Sequence, residues 1–439
     1  MRQYLKRLLC WPVFIVCFAF ALRVVIVYLE WHYAKNPSRD NLPYGYELGK
    51  VARSIALGRG FSSPLRLYET GPTIWFTPIY PYLVAGIFKL WGIYSFLSKI
   101  IIQISNCAFA ALTIIPIHAI AKRAFGNGTA TGAAWTWVFF PTALYFPIMW
   151  VWDTALAALF FSLIFWATLA LRGKRNVLPW LGYGALWAVG GLINPSILSL
   201  FPFFLGWLVW EARKESAPWA KHVTLALLVF TIGLVPWTIR NYRVFGKFIV
   251  LRSNFGLELW LGNNPNVTDT WTPWTHPNDN LEEAQKYRRM GEIDYMAEKQ
   301  HEAFAFMRTH PRDTIYIMFR RFVNNWLVVV DSPVDTWLHV PLYAKALLAV
   351  NGMVSLLSFL GALYAYRARN ADAFPFAMVL LIFPLVFYLT HASLRYRFPI
   401  DPIMMVLAAG AVTHLLSLAR SRSPRVTKMA APALSLPVS

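Results

Sequence analysis

Acidic side chains are scarce in this sequence. Its 439 residues hold 21 Asp and Glu against 41 Lys and Arg, a formal net charge of +20. Charged residues make up only 14% of the chain and hydrophobic ones 57%. So little charge excludes an ordinary soluble domain. Apolar runs of about twenty residues recur instead, the length a helix needs to cross a bilayer. The bases stand in short clusters between these runs, which marks membrane topology rather than a nucleic-acid surface. Cysteine is nearly absent. Cys10, Cys17 and Cys107 lie in or beside apolar runs, which excludes a disulfide framework outside the membrane. No compact His, Cys or carboxylate cluster has zinc spacing. No repeat of fixed period is present, and the first apolar run lacks a small-residue cleavage site, so it reads as an uncleaved anchor.

The basic clusters order the spans. Arg2, Lys6 and Arg7 precede span 1, about Leu8–Tyr28, and place the N-terminus in the cytoplasm. Tyr80–Trp91 is apolar, but at roughly 1.5 Å per residue it cannot cross a core of about 30 Å. It is expected to lie in the outer interface or to re-enter. Further spans are expected near Phe96–Ala121, Gly128–Tyr145, Thr154–Leu171, Val177–Ile193, Ser196–Trp210, Val223–Ile239, Val340–Tyr364, Ala373–Leu389 and Ile403–Leu418. The fold class is therefore an all-α polytopic membrane protein with about ten transmembrane helices and both termini cytoplasmic. Residues 1–240 form an N-terminal module with a long first outer loop, 30–95. Residues 241–337 form an outer region with an amphipathic helix from Leu281 to Arg308, stopped at His310-Pro311. Residues 338–420 carry the C-terminal helices, and 421–439 a basic, disordered cytoplasmic tail.

The unusual residues gather on the expected outer face. The stretch Leu42-Pro-Tyr-Gly-Tyr-Glu-Leu-Gly-Lys-Val-Ala-Arg-Ser-Ile-Ala-Leu-Gly-Arg-Gly-Phe-Ser-Ser-Pro64 follows span 1. Pro43 can begin a helix, and Leu48, Val51, Ala52 and Ile55 then form an apolar stripe suited to a membrane surface. Glu47 falls in its first turn, where it either complements the helix dipole or serves a site. Asp153, in Met149-Trp-Val-Trp-Asp153, either caps the next span or faces the same site. Arg240 and Arg243 lie in Arg240-Asn-Tyr-Arg-Val-Phe-Gly246, and Arg395 and Arg397 in His391-Ala-Ser-Leu-Arg-Tyr-Arg-Phe-Pro399. Arginine forks suit phosphate oxygens, and aromatic faces suit sugars and prenyl chains. A carboxylate in such a cavity can take a proton from an attacking hydroxyl. These parts fit sugar transfer from a lipid phosphate. A lipid or solute transporter is the competing class, but transporters favour repeats and polar groups at the midplane. Arg23 is the main mid-span exception, and it can snorkel to the outer surface. A non-catalytic scaffold would not need acids and arginines on one face.

The sequence resembles the GT-C-fold glycosyltransferases that use polyprenyl-phosphate sugars, in particular the protein O-mannosyltransferase and lipid A aminoarabinose transferase families. The resemblance rests on Ala52-Arg-Ser-Ile-Ala-Leu-Gly-Arg-Gly-Phe61, on Pro78-Ile-Tyr-Pro-Tyr-Leu83 with Trp91-Gly92, on Arg240–Gly246 and on Arg395-Tyr-Arg-Phe-Pro399. It implies a plasma-membrane enzyme whose site faces the outside or periplasm. A sugar would move there from a polyprenyl-phosphate donor to a lipid, protein or glycan acceptor. It implies a catalytic acid in the first outer loop and a second acid in the next. In those families the loop acid sits about eight residues before the position of Ala52, where this chain has Tyr44. Glu47 lies one helical turn later and Asp40 one turn earlier, and either can project into the same cavity. Glu47 is preferred because a helix fixes it. Asp153 resembles the second acid. Arg240, Arg243, Arg395 and Arg397 are the candidates for the donor phosphate. Tyr44, Tyr46, Trp152, Trp260, Tyr396 and His391 are the candidates for the sugar and lipid pocket. Some relatives use a divalent metal held by acids, so the resemblance leaves a metal cofactor open.

Overall fold

The computed structural model describes residues 10–33, 44–216, 218–267, 273–327 and 342–422. Among these residues the chain is a helical bundle whose only strand pairing is an isolated bridge between Ser62 and Pro72. Helix is what the bilayer demands, because a lipid-facing backbone must satisfy its own hydrogen bonds. Among the described residues seven helical stretches are long and apolar enough to cross a membrane: Pro12–His32, Phe96–Phe125, Thr154–Leu171, Pro195–Lys214, Ala220–Phe245, Lys345–Arg367 and Leu394–Ser421. Ile79–Trp91, Val177–Ile193 and Ala373–Leu389 are shorter apolar helices. The span expected near Gly128–Tyr145 is two helices, Asn127–Phe139 and Pro141–Met149, broken at Phe140.

That break explains a buried charge. Pro141 and Pro147 have no N–H, so the carbonyls of Trp137 and Ala143, four residues earlier, lose their helical partners. Arg23 fills both vacancies. Its Nη2 donates to Trp137 O at 3.3 Å and its Nε to Ala143 O at 3.2 Å, while Nη1 reaches Ala19 O at 3.0 Å. The expectation that Arg23 snorkels is corrected: the side chain is fully buried and faces the bundle interior.

Two further expectations are corrected. The stripe of Tyr46–Ala56 does not lie on lipid. Leu48, Val51 and Ala52 are buried in protein, with Leu48 and Ala52 in the main core beside Tyr80, Val84 and Phe88, and Val51 beside Phe61, Ile74 and Trp237. The amphipathic helix expected from Leu281 to Arg308 is two helices, Leu281–Met290 and Glu292–Thr309, separated at Gly291 with φ 80°. His310 does end the second, but Pro311 then opens another helix, Pro311–Leu327.

The bundle has two unlike ends. At one, the turns near residues 122–127, 172–176, 218–222 and 367–373 meet. Arg123 Nε and Arg172 Nη1 converge on Asp372 at 2.8 and 3.2 Å. His222 bridges the carbonyls of Pro218 and Arg175 at 2.7 and 2.8 Å. At the other end the first loop and the segment after residue 245 fold over the helices. Glu292 ties them together by accepting from Ile74 N at 2.9 Å and from Tyr287 Oη at 2.7 Å.

Candidate active site

A cavity of about 1140 Å³ opens at this second end. Its floor depends on a glycine. Gly45 has φ 87°, and a Cβ there would stand 2.4 Å from Val151 O. Only glycine allows that approach, which seats the first turn of Tyr46–Ala56 against Trp150–Asp153. Glu47 and Asp153 thereby line one cavity. The opposite wall is closed by Gly262, where a Cβ would stand 1.8 Å from Thr390 O. That contact sets the helix Phe255–Gly262, with Glu258, against the turn that carries His391, Arg395 and Tyr396.

Besides Asp279, three acids line the cavity, and each takes a hydrogen bond from an asparagine. Asn278 Nδ2 donates to Glu47 Oε1 at 2.7 Å, Asn194 Nδ2 to Asp153 Oδ2 at 3.1 Å, and Asn254 Nδ2 to Glu258 Oε1 at 2.8 Å. Asp153 flanks the helix Thr154–Leu171, yet its side chain makes no capping bond; it turns to Asn194 instead. Burial opposes the charged form of each acid. It raises the Glu47 carboxyl to about 7, against the lowering effect of Asn278 and Arg395. It raises Asp153 to about 6, although Arg252 and Arg395 pull the other way. Burial raises Glu258 as well.

The histidines are neutral. Burial holds His276 down to about 4. Its Nδ1 accepts from Asn278 N at 3.1 Å, which places the proton on Nε2, 3.8 Å from Glu47 Oε1. Burial, aided by Arg321 and Arg395, holds His391 down to about 3. His391 Nε2 lies 2.9 Å from Tyr396 Oη, which itself accepts from Arg395 Nη2 at 2.9 Å. The Arg395 guanidinium sits 4.4 Å from the Trp152 ring centre and 5.4 Å from that of Trp150. Among the described residues Arg395 forms no direct ion pair. It is a cation held by the aromatic faces of Trp150, Trp152 and Tyr396.

The remaining sequence candidates lie elsewhere. Arg240 clasps the first loop from outside the cavity, with Nη1 on Thr73 O at 2.8 Å and Nη2 on Phe61 O at 2.9 Å. Arg397 points into the bundle, where it meets Asp401 at 2.9 Å, Asn351 at 2.7 Å and Asn325 O at 2.9 Å. Tyr44 Oη donates to Tyr94 O at 2.7 Å, and Trp260 lies 3.6 Å from Lys299 Nζ, ring centre to nitrogen. Arg243 is exposed beyond the cavity wall. Asp40 lies outside the described residues, as do Pro43, the bases Arg2, Lys6 and Arg7, and the tail from residue 423. Tyr46 does line the cavity, and its hydroxyl donates to Asp279 at 2.9 Å. Sequence reasoning missed Arg252, Glu258, His276 and Asp279. They come from irregular segments and one short helix, with no spacing to betray them. Arg252 carries a trace of signal as a base on the expected outer side. Among the described residues no three His, Cys, Asp or Glu side chains are grouped to hold a metal ion.

Against this geometry the comparisons are specific about the fold. Two solved structures of the oligosaccharyltransferase of Archaeoglobus fulgidus align over nearly the whole chain. The apo form matches with TM-score 0.56 and 16% identity, covering 94% of this chain and 51% of that one. The complex of that enzyme, AglB, with an inhibitory peptide and a dolichol-phosphate matches with TM-score 0.55 and 16% identity, covering 94% and 52%. The chain has the GT-C fold. Residues 76–237 also match the dolichyl-phosphate-mannose-protein mannosyltransferase family. This segment contains Trp152, Asp153 and Asn194, whereas Glu47, Glu258 and Arg395 lie outside it. A search of curated proteins found no match. The GT-C chain spans about half the length of the solved structures it matches.

Proposed function

We propose that the cavity is the active site of an integral-membrane, inverting glycosyltransferase that moves a sugar from a polyprenyl-phosphate donor to an acceptor hydroxyl. The observation that carries this is one cavity holding a buried Glu47, a second acid in Asp153 and the cation Arg395, which stacks on Trp152. The acceptor oxygen attacks the anomeric carbon as Glu47 takes its proton. The new bond forms on the face opposite the departing phosphate oxygen, so the configuration inverts. Polyprenyl phosphate leaves with the electron pair of the broken bond, and Arg395 and Arg252 balance its charge. A phosphate leaving group needs little protonation, so one base suffices. Asp153, beside Arg252, orders the sugar hydroxyls with Asn194. Trp150, Trp152 and Tyr396 offer flat faces to the sugar and the first prenyl units. The lipid phosphate and peptide bound by the Archaeoglobus enzyme support a lipid-phosphate donor and leave protein, lipid or glycan as acceptor.

The basic turns lie at the end away from the cavity. By the positive-inside rule that end is cytoplasmic, and the cavity opens to the outside or periplasm of the plasma membrane. The catalytic module is then residues 1–240, completed by Glu258 from the 241–337 region and by Arg395 from the C-terminal helices. No observation favours a transporter. The test is sugar transfer in proteoliposomes with labelled polyprenyl-phosphate sugars, for wild type, Glu47→Gln and Asp153→Asn. Transfer lost in Glu47→Gln with donor binding kept supports the reading. An active Glu47→Gln beside a dead Asp153→Asn moves the base to Asp153. A wild type that transfers nothing from any donor brings back the transporter.

A further inference from the structure

The segment 276–279 is not near Glu47 in sequence, yet it supplies the closest polar contact to that carboxylate. We infer that Asn278, backed by His276, is a positioning residue for the base: Asn278 fixes Glu47 through Oε1 and leaves Oε2 to meet the acceptor hydroxyl. This rests on the reading of Glu47 as the base. Asn278 is itself immobilised. Its Oδ1 accepts from Arg66 N at 2.7 Å, so its amide cannot flip without losing that bond, and Nδ2 must point at Glu47 Oε1. Asn278 is 3% and His276 9% exposed. The backbone N–H of Asn278 also sets the His276 tautomer, which turns Nε2–H toward the same oxygen. One neutral donor, Asn278 Nδ2, is therefore bonded to Oε1, and the neutral His276 ring stands 3.8 Å away with no counter-charge needed.

Neutral donors suit a base. A cation at Oε1 would stabilise the carboxylate so far that it would hold a proton poorly. An amide orients the group and lowers its proton affinity only in part. Four other titratable groups share this environment. Arg395 and Glu258 act on Glu47 by charge from the opposite wall, and Tyr46, bonded to Asp279, stands next to it on its own helix. Arg395 and Glu258 oppose each other, which leaves the asparagine as the main adjustable contact.

The experiment is the pH dependence of sugar transfer for wild type, Asn278→Ser and His276→Gln in proteoliposomes, with donor binding measured separately. In wild type, kcat/KM rises through the Glu47 titration. Asn278→Ser removes a donor from the carboxylate, so that limb moves up by about one pH unit. At pH 7 kcat/KM falls roughly five-fold, and the loss shrinks toward pH 9. KM for the donor stays unchanged. His276→Gln keeps an N–H donor and retains most activity. A loss that is equal at every pH, with weakened donor binding, would mean a merely structural role and would overturn the inference. So would an unshifted limb in Asn278→Ser. If Glu47→Gln is fully active in the same assay, it is the assignment of the base that fails.

Discussion

The two ends of the bundle treat their acids in opposite ways. At the basic end Asp372 is buried between two arginines, at 2.8 and 3.2 Å. At the cavity end Glu47, Asp153 and Glu258 each take an amide from asparagine, and Arg395 stacks against aromatic rings. The first arrangement locks a charge in place and joins turns. The second holds a carboxyl in position while leaving it free to gain and lose a proton near neutral pH. We propose that a carboxylate acts as a clamp at one end and as a proton acceptor at the other, and that its partner decides which.

The largest effect that sharpens this contrast is on catalysis. Glu47→Gln keeps the shape and the bond to Asn278 but removes the proton acceptor. Transfer is expected to fall by about 10²- to 10⁴-fold, with donor affinity intact, in a steady-state assay. Next is a clamp within the bundle. Arg397 pairs with Asp401, and both are buried. Arg397→Met leaves that acid uncompensated and should cost about 3–5 kcal/mol, read by denaturant unfolding in micelles.

The third effect separates the two kinds of acid by pH. The Glu47 carboxyl rises from 4.5 to about 7 in the fold. A raised carboxyl favours the fold only while it is neutral. That contribution is complete below about 4.5, the unfolded value, and is lost as pH rises through about 7. Glu47→Gln stays neutral throughout. It should therefore melt higher than wild type at pH 8, by up to roughly 3 kcal/mol, and match it at pH 4. The smallest effect belongs to the basic end. Arg123→Gln leaves Arg172 on Asp372, so stability should drop by only about 1 kcal/mol and the pH profile of transfer should not move.

The sequence revealed most where physics is one-dimensional. A span is a run of apolar residues, and its bounds survive in Thr154–Leu171 and Val177–Ile193. Local breaks were harder. Pro141 and Pro147 are visible in the sequence, but nothing there says that Arg23, more than a hundred residues earlier, replaces their missing donors. The stripe of Tyr46–Ala56 was legible as amphipathic, but apolar spacing does not tell lipid from protein. The cavity was legible in part. Glu47, Asp153, Arg395, Tyr396, His391, Tyr46 and Trp152 all line it. Arg397 stands in the same motif as Arg395 and Tyr396, which do line it, and only the three-dimensional path of the backbone shows Arg397 serving Asp401 and Arg240 serving carbonyls instead. The asparagine partners come from three separate loops and had no pattern by which to be found.

The central claim is that Glu47 titrates near neutral pH inside the cavity, where amides rather than cations hold it. The most direct measurement is infrared difference spectroscopy of the protein in nanodiscs across a pH series. The protonated carboxyl band of Glu47 would be assigned by its loss in Glu47→Gln. The account predicts a midpoint of about 7. A midpoint near the ordinary value of 4.5 would show a solvated or cation-paired carboxylate and would contradict it.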